Sequence, residues 1–474
     1  MPEPGFLKAS KHSANNRAFL DADTGQWFTR GQLSDHVNAF AAKLSFAKKA
    51  LGFNFAFNNS SSLIAYLAAV EAGHAIVLLN PEMDAEFKHK LIEIYQPDFI
   101  VAPPSHPPET GDVYSNSESP YPDQLLLRAR DPHKHTIHPN LTLLNSTSGS
   151  TGSPKLVRLT WRNLESNARQ LNQVLSNSEE DCMMVTAPIF NAFGQSVVHT
   201  HLLAGGSFVL TRERIVSRTY WDYARAAGCN SIGGTPFFYQ TLDRLDLDSL
   251  DVPALKKFIA SGGRLAEHLV IKFHRAAVQR GGALHVMYGQ AETTARMAGL
   301  PPQYLPDAAR SIGFALPGGR LQVEREGSQC APLEEGELVY EGPSVMMGYA
   351  REASDLEAGD LMGGRIATGD LGYQDERGLL YITGRKARFA KLFGWRISLD
   401  DVEEMLSHTG PVAALNQDDR IIVYTERKSP EFSASIEQLP ARLRIHPSAF
   451  EVRAVEHIPI LANGKTNYSS LALA

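Results

Sequence analysis

The chain has 474 residues, 43% of them hydrophobic and 21% charged, with a net charge of −6. That balance lacks the basic field of a general nucleic-acid binder but leaves a nucleotide ligand open, because a nucleotide needs only local charge. Three scattered cysteines (Cys182, Cys229, Cys330) form neither a disulfide framework nor a metal-binding spacing, and no basic segment followed by an apolar core opens the chain. These features predict a protein of a reducing, cytoplasmic compartment, and the length allows about three domain-sized units.

In chain order, Leu33, Val37, Phe40 and Leu44 recur at helical spacing behind Thr29, a candidate cap. Phe53-Asn54-Phe55-Ala56-Phe57 alternates like a strand. Residues 64–71 then read as a helix and 75–79 as a buried strand. This apolar stretch is interrupted by Glu71 and His74, so it is too short and too polar to span a bilayer. The βαβ rhythm predicts an α/β fold with parallel sheets covered by helices. Residues 103–122, with six prolines, read as a long surface loop, and His133, His135 and His138 just beyond it as a solvated linker rather than a metal site. No internal repeat is evident.

Four short motifs carry chemistry. Asn145-Ser-Thr-Ser-Gly-Ser-Thr-Gly-Ser-Pro-Lys155 lies between apolar runs at 141–144 and 156–159. Such a loop turns backbone N–H groups and hydroxyls toward phosphate oxygens, and Lys155 adds charge. It is not a Walker A loop, which needs Gly-Lys-Ser/Thr and an opening helix. Met287-Tyr-Gly-Gln-Ala-Glu-Thr-Thr294 follows a strand-like run. It offers Tyr288 for stacking on a purine and Glu292 as a Mg²⁺ ligand. Thr368-Gly-Asp-Leu-Gly372 precedes Gly384-Arg385 with a hairpin turn at 375–378 between them, and a carboxylate such as Asp370 can accept both hydrogen bonds of a ribose diol. Ile458-Pro-Ile-Leu-Ala-Asn-Gly-Lys465 ends the chain with a lysine on a turn.

In this order the motifs resemble those of the adenylate-forming superfamily, which includes acyl-CoA synthetases, aryl acid ligases, nonribosomal adenylation domains and luciferases. Weaker matches extend the resemblance from about residue 18 to about residue 470, among them Gly336-Glu-Leu338 and Gly348-Tyr349. The resemblance implies a large N-terminal AMP-binding region, 1–386, of helix-covered mixed and parallel sheets with a small β subdomain. A small mobile α+β lid, 387–474, would follow it. It implies that Thr147, Ser148, Gly149, Ser150, Thr151, Gly152 and Lys155 hold the pyrophosphate portion of ATP. Gly262, Gly263, Tyr288 and Gly289 would flank the adenine. Asp370 and Arg385 would hold the ribose or phosphate, Glu292 the Mg²⁺. Lys465 would bridge the substrate carboxylate and the α-phosphate. Phe190, Asn191, Phe193, Gly194 and Gly234 would line the acid pocket, and Gly394 a thiol tunnel.

The chain departs from the family pattern at Ala291, where a threonine hydroxyl is usual and Thr293 is the candidate substitute. It departs again at Ala387, the hinge position, and its lid is short. The implied activity is ATP-dependent activation of a carboxylic acid to an acyl-adenylate, then transfer to a thiol of coenzyme A or a carrier protein. An amine acceptor is the alternative within that chemistry. A catalytically silent nucleotide-binding fold and an ADP-releasing ATPase are the rivals outside it. The pocket segment 190–194 holds no acid to pair with an α-amino group, which favours a non-amino acid.

Overall fold

A computed structural model describes residues 13–146, 155–386, 388–392, 395–417, 420–443, 445–461 and 465–472. Among these, two large sheets dominate. The first has nine strands with a parallel centre. Ala283–Tyr288, Lys257–Ala260, Ser231–Gly234, Cys182–Val185, Ser207–Leu210 and Arg17–Asp21 run side by side, with antiparallel strands at both edges. The second has eight strands around a parallel core of Leu141–Ser146, Ala75–Leu79, Leu51–Phe55 and Phe99–Ala102. A five-stranded antiparallel sheet, including Gly336–Glu341, Arg365–Gln374 and Leu380–Arg385, forms the small β subdomain.

One apolar cluster joins the two large sheets through the helix Ser60–Glu71, buried from Ser61 to Val70, and the helix Ala192–Ala204. A helix apolar on all sides belongs in such an interior layer. The first helix, Arg30–Lys43, starts where the sequence predicts. Thr29 accepts from the Gln32 amide while the Gln32 side chain returns a bond to the Thr29 N–H, a reciprocal cap.

Two expectations need correction. The strand expected over residues 53–57 starts and ends two residues earlier: it is Leu51–Phe55, and all five residues are buried. It lies between two parallel neighbours, and Asn54, fully buried, donates to the Ser62 carbonyl. Residues 103–122 are not wholly loop, because Tyr114–Ser117 forms the edge strand of the eight-stranded sheet.

Beyond residue 388 the chain forms an antiparallel pair, Phe389–Leu392 with Trp395–Ser398, and a three-stranded sheet of Val412–Gln417, Arg420–Thr425 and Phe450–Ala454. Helices Leu399–Leu406 and Pro430–Leu443 accompany them. Two apolar clusters draw only on residues 390–471, so this part has its own interior. It meets the larger part through Glu404, whose Oε2 lies 2.6 Å from Arg264 Nη1 and whose Oε1 lies 3.8 Å from Arg310 Nη2. Among the described residues no helix is long and apolar enough to cross a membrane, and no group of three His, Cys, Asp or Glu side chains could hold a metal ion.

Candidate active site

Antiparallel register places Asp370 opposite Arg385 on neighbouring strands of the β subdomain. Arg385 Nε donates to Asp370 Oδ1 at 3.0 Å, and the Tyr288 hydroxyl donates to Asp370 Oδ2. Tyr288 is the last residue of a central strand of the nine-stranded sheet, so these bonds join the two units. Asp370 is only 4% exposed. Burial raises its carboxyl above the ordinary 3.8, against the opposing pull of Arg385 and the Tyr288 hydroxyl.

Gly289 lets the chain turn back after Tyr288. A Cβ there would lie 2.1 Å from the Ala295 carbonyl oxygen and 2.4 Å from the Arg296 Cα, closer than any side chain tolerates. The turn carries Glu292 to the segment 346–349, where the Met346 N–H donates to the Glu292 carbonyl and the Tyr349 hydroxyl donates to Glu292 Oε1 at 2.8 Å. Among the described residues Glu292 Oε2 has no hydrogen bond or salt bridge, so the donor left over is a carboxylate oxygen, the type a hard cation such as Mg²⁺ prefers. Lys155 Nζ stands 3.7 Å from the centre of the Tyr349 ring.

Lys465 is tied in place on its backbone: the Leu461 N–H donates to the Lys465 carbonyl at 2.8 Å, and the Asn467 N–H to the Pro459 carbonyl at 2.7 Å. Its amine falls below the ordinary 10.5, first because surrounding protein removes its solvation, then because Arg385 repels it, while Asp370 and Glu292 oppose the shift. Arg385, Asp370 and Glu292, from separate stretches of chain, thus all bear on the Lys465 amine.

Ser261-Gly262-Gly263 follows the strand Lys257–Ala260, which is paired with the strand that ends at Tyr288, so this strip emerges beside the tyrosine. Gly234 ends the next strand, its Cα against the Phe238 ring. Gly194 lets the helix Ala192–Ala204 start hard against the Pro188 turn, since a Cβ there would lie 2.3 Å from the Pro188 carbonyl oxygen. Phe190 and Phe193 are half-buried against the core between the sheets. Asn191 caps that helix by backbone position alone; its side chain makes no capping bond and its Nδ2 is buried without a partner. Thr293, the candidate replacement for the missing threonine at 291, is fully buried with its hydroxyl donated to the Gln290 carbonyl. Its hydroxyl is thus committed inside the protein. Thr147, Ser148, Gly149, Ser150, Thr151 and Gly152, together with Ala387 and Gly394, lie outside the described residues.

Three features escaped the sequence reading. Tyr349 had registered only as part of a structural Gly-Tyr match. Arg264 had no signal of its own. Arg296 did carry one, a charged residue set in the apolar run Ala295-Arg-Met-Ala-Gly-Leu300.

A family profile described as AMP-binding enzyme matches residues 6–350. The chain belongs to this family and is an AMP-forming acid ligase. It is 25% identical over 448 residues to a 2-succinylbenzoate--CoA ligase of Bacillus pumilus, covering 91% of this chain and 90% of that protein. It is 29% identical over 263 residues to the 2-succinylbenzoate--CoA ligase of Bacillus subtilis, covering 55% and 52%. The fold matches ATP-bound MatB from Rhodopseudomonas palustris with a TM-score of 0.79 at 21% identity, over 99% of this chain and 98% of that one. It matches MenE from Bacillus subtilis in complex with the acyl-adenylate OSB-AMP with a TM-score of 0.78 at 21% identity, over 99% and 98%.

Proposed function

We propose that the cleft between Tyr288, Glu292, Asp370, Arg385 and Lys465 condenses a non-amino carboxylic acid with ATP, releases pyrophosphate, and passes the acyl group to the thiol of coenzyme A. A carboxylate is a poor acyl donor, and AMP makes it a good one. The acid is already ionised at neutral pH, so its oxygen attacks the α-phosphate without a general base. Charge builds on the α-phosphate, and positioning plus charge stabilisation is the protein's task.

In this reading Asp370 accepts the ribose hydroxyls, with Arg385 and Tyr288 fixing its carboxylate. The strip at 262–263 and Gly289 let the adenine lie against backbone beside the Tyr288 ring. Lys465 places its ammonium between the attacking carboxylate and the phosphate. Mg²⁺ held by Glu292 would supply charge neutralisation at the phosphates. The loop from Thr147 to Lys155 holds the pyrophosphate portion, and Phe190, Asn191, Phe193, Gly194 and Gly234 receive the acid. Residues 387–474 act as the lid, with Ala387 as hinge and Gly394 beside the thiol entry. Coenzyme A is chosen over a carrier protein or an amine because both relatives above are named as CoA ligases. A cytoplasmic location fits three free cysteines, two of them, Cys182 and Cys229, hydrogen-bonded thiol to thiol at 3.4 Å and not joined as a disulfide.

The observation that carries the proposal is the convergence of the Tyr288 hydroxyl and the Arg385 guanidinium on the buried Asp370 carboxylate. The test is exchange of labelled pyrophosphate into ATP across a library of acids, followed by mass spectrometry of products with coenzyme A present. Acid-dependent exchange and an acyl-CoA product support it. Absence of exchange with every acid, or ADP in place of AMP, rejects it.

A further inference from the structure

Among the described residues three arginines are almost wholly buried: Arg30, Arg158 and Arg296 are 4%, 0% and 2% exposed. Two of them have a structural task. Arg30 donates through Nη1 and Nη2 to the carbonyls of Leu202, His201 and Gly206. Arg158 does the same to Met347, Ala358 and Gly359. Arg296 differs. Among the described residues its guanidinium makes no hydrogen bond and no salt bridge, and its buried Nε and Nη2 have no partner. Burial brings its pKa down to about 10, with the Tyr239 hydroxyl opposing the shift. It therefore stays charged at neutral pH without an anion beside it. Burying an unpaired guanidinium is strongly unfavourable, and folds keep such a group where a ligand completes it.

Its location says which ligand. The guanidinium carbon lies 4.5 Å from the centre of the Phe193 ring, in the segment proposed to receive the acid. Asn191, two residues from Phe193, also has a buried Nδ2 without a partner. Arg296 follows Glu292 by four residues on the same turn, so its backbone is fixed relative to the reacting end of the cleft.

We infer that Arg296 is a specificity-determining residue of the acyl pocket and that the acid activated here carries a second carboxylate, distal to the one that attacks ATP, which pairs with the Arg296 guanidinium. The planar fork of arginine suits a carboxylate held by two parallel bonds, and the Phe193 face leaves the guanidinium edge available for them. Phe190 and Phe193 then clasp the apolar body of a diacid between its two charged ends. The inference rests on the proposed adenylation and narrows its substrate.

The experiment compares dicarboxylic acids, aliphatic and aromatic, with their own monomethyl esters in pyrophosphate exchange. Each pair differs only in the second charge. The full-length enzyme is expected to favour the diacid over its half-ester by about a hundredfold in kcat/KM, because the half-ester leaves a buried charge unpaired. Arg296→Met should abolish that preference through KM for the diacid, with the half-ester used as well as or better than before. Arg296→Lys should restore part of it. The comparison within wild-type enzyme stands whether or not either variant folds. Equal use of diacids and half-esters by wild type, or a preference that survives in Arg296→Met, overturns the inference. Exchange with monoacids alone also overturns it while leaving adenylation intact. Exchange with no acid at all rejects the adenylation reading and this inference with it.

Discussion

Tyr349 and Glu292, 57 residues apart in the chain, are joined by a 2.8 Å hydrogen bond from hydroxyl to carboxylate. The Tyr349 ring also receives the Lys155 ammonium. One side chain thus links the proposed metal ligand to the end of the proposed phosphate loop. Burial, with Glu292 adding to it, pushes the Tyr349 phenol above its ordinary 10, so it remains a donor at any working pH. Replacing Tyr349 by Phe removes the bond that orients Glu292. The Mg²⁺ concentration needed for half-maximal pyrophosphate exchange should then rise about tenfold, as expected when a metal ligand loses its supporting partner. An unchanged Mg²⁺ titration would separate Tyr349 from the metal site.

Asp370 holds two partners in the cleft, Tyr288 and Arg385. Asp370→Ala should weaken ATP binding at least about tenfold, because charge-assisted hydrogen bonds of this kind contribute about 1.5–3 kcal/mol each. Isothermal titration with ATP reads the loss directly. Asp370→Asn, which keeps the shape but not the charge, should fall between. Wild-type affinity in Asp370→Ala would remove it from the ribose site.

Lys465→Ala should slow adenylation by about 10²- to 10³-fold, the usual effect of losing one transition-state charge partner. Transfer from a preformed acyl-adenylate to coenzyme A should be spared. The pH dependence follows from the sign of its shift. The charged amine is the active form, and its pKa lies below 10.5, so exchange should begin to fall at a lower pH than an ordinary lysine would give. Lys465→Arg should move that alkaline limb upward. Equal loss in both half-reactions would contradict the assignment.

Asp401, beside Glu404 at the contact with Arg264, is pushed up to about 6, chiefly by burial and then by the charges of Glu404 and Asp400, against Arg264. The ordinary value of such a carboxyl is 3.8, so burial at the contact makes it bind a proton more tightly. That contribution is fully present below about 3.8 and is lost as pH rises through about 6. Hydrogen exchange in the helix Leu399–Leu406, corrected for intrinsic rates, should show better protection at pH 5 than at pH 7.5. Asp401→Asn should flatten the difference. A pH-independent wild type would show that Asp401 does not report on the contact.

Much of the fold was legible because its signals are local. The Thr29–Gln32 cap, the buried strand Ala75–Leu79 and the turn at 375–378 each need only a few adjacent residues. The strand Leu51–Phe55 was legible as a strand but not in its bounds, because the Phe alternation runs on to Phe57 while pairing stops at Phe55. Tyr114–Ser117 was hidden because a polar edge strand among prolines has no apolar pattern; pairing with Leu125–Ala129 creates it. Within the site, Tyr288, Asp370, Arg385 and Lys465 stood in recognisable motifs. Arg296 and Tyr349 did not, since what defines each is a partner brought up by the fold.

Two apolar clusters confined to residues 390–471 give this block an interior that owes nothing to the rest of the chain. Lys465 and the pair Phe389–Leu392 with Trp395–Ser398 ride on it together, like two tools on one handle. A lid turning as the proposal has it would carry both at once. For the proposed two-step reaction, one rigid turn would then exchange the two, and the Arg264–Glu404 ion pair is a contact that turn has to break.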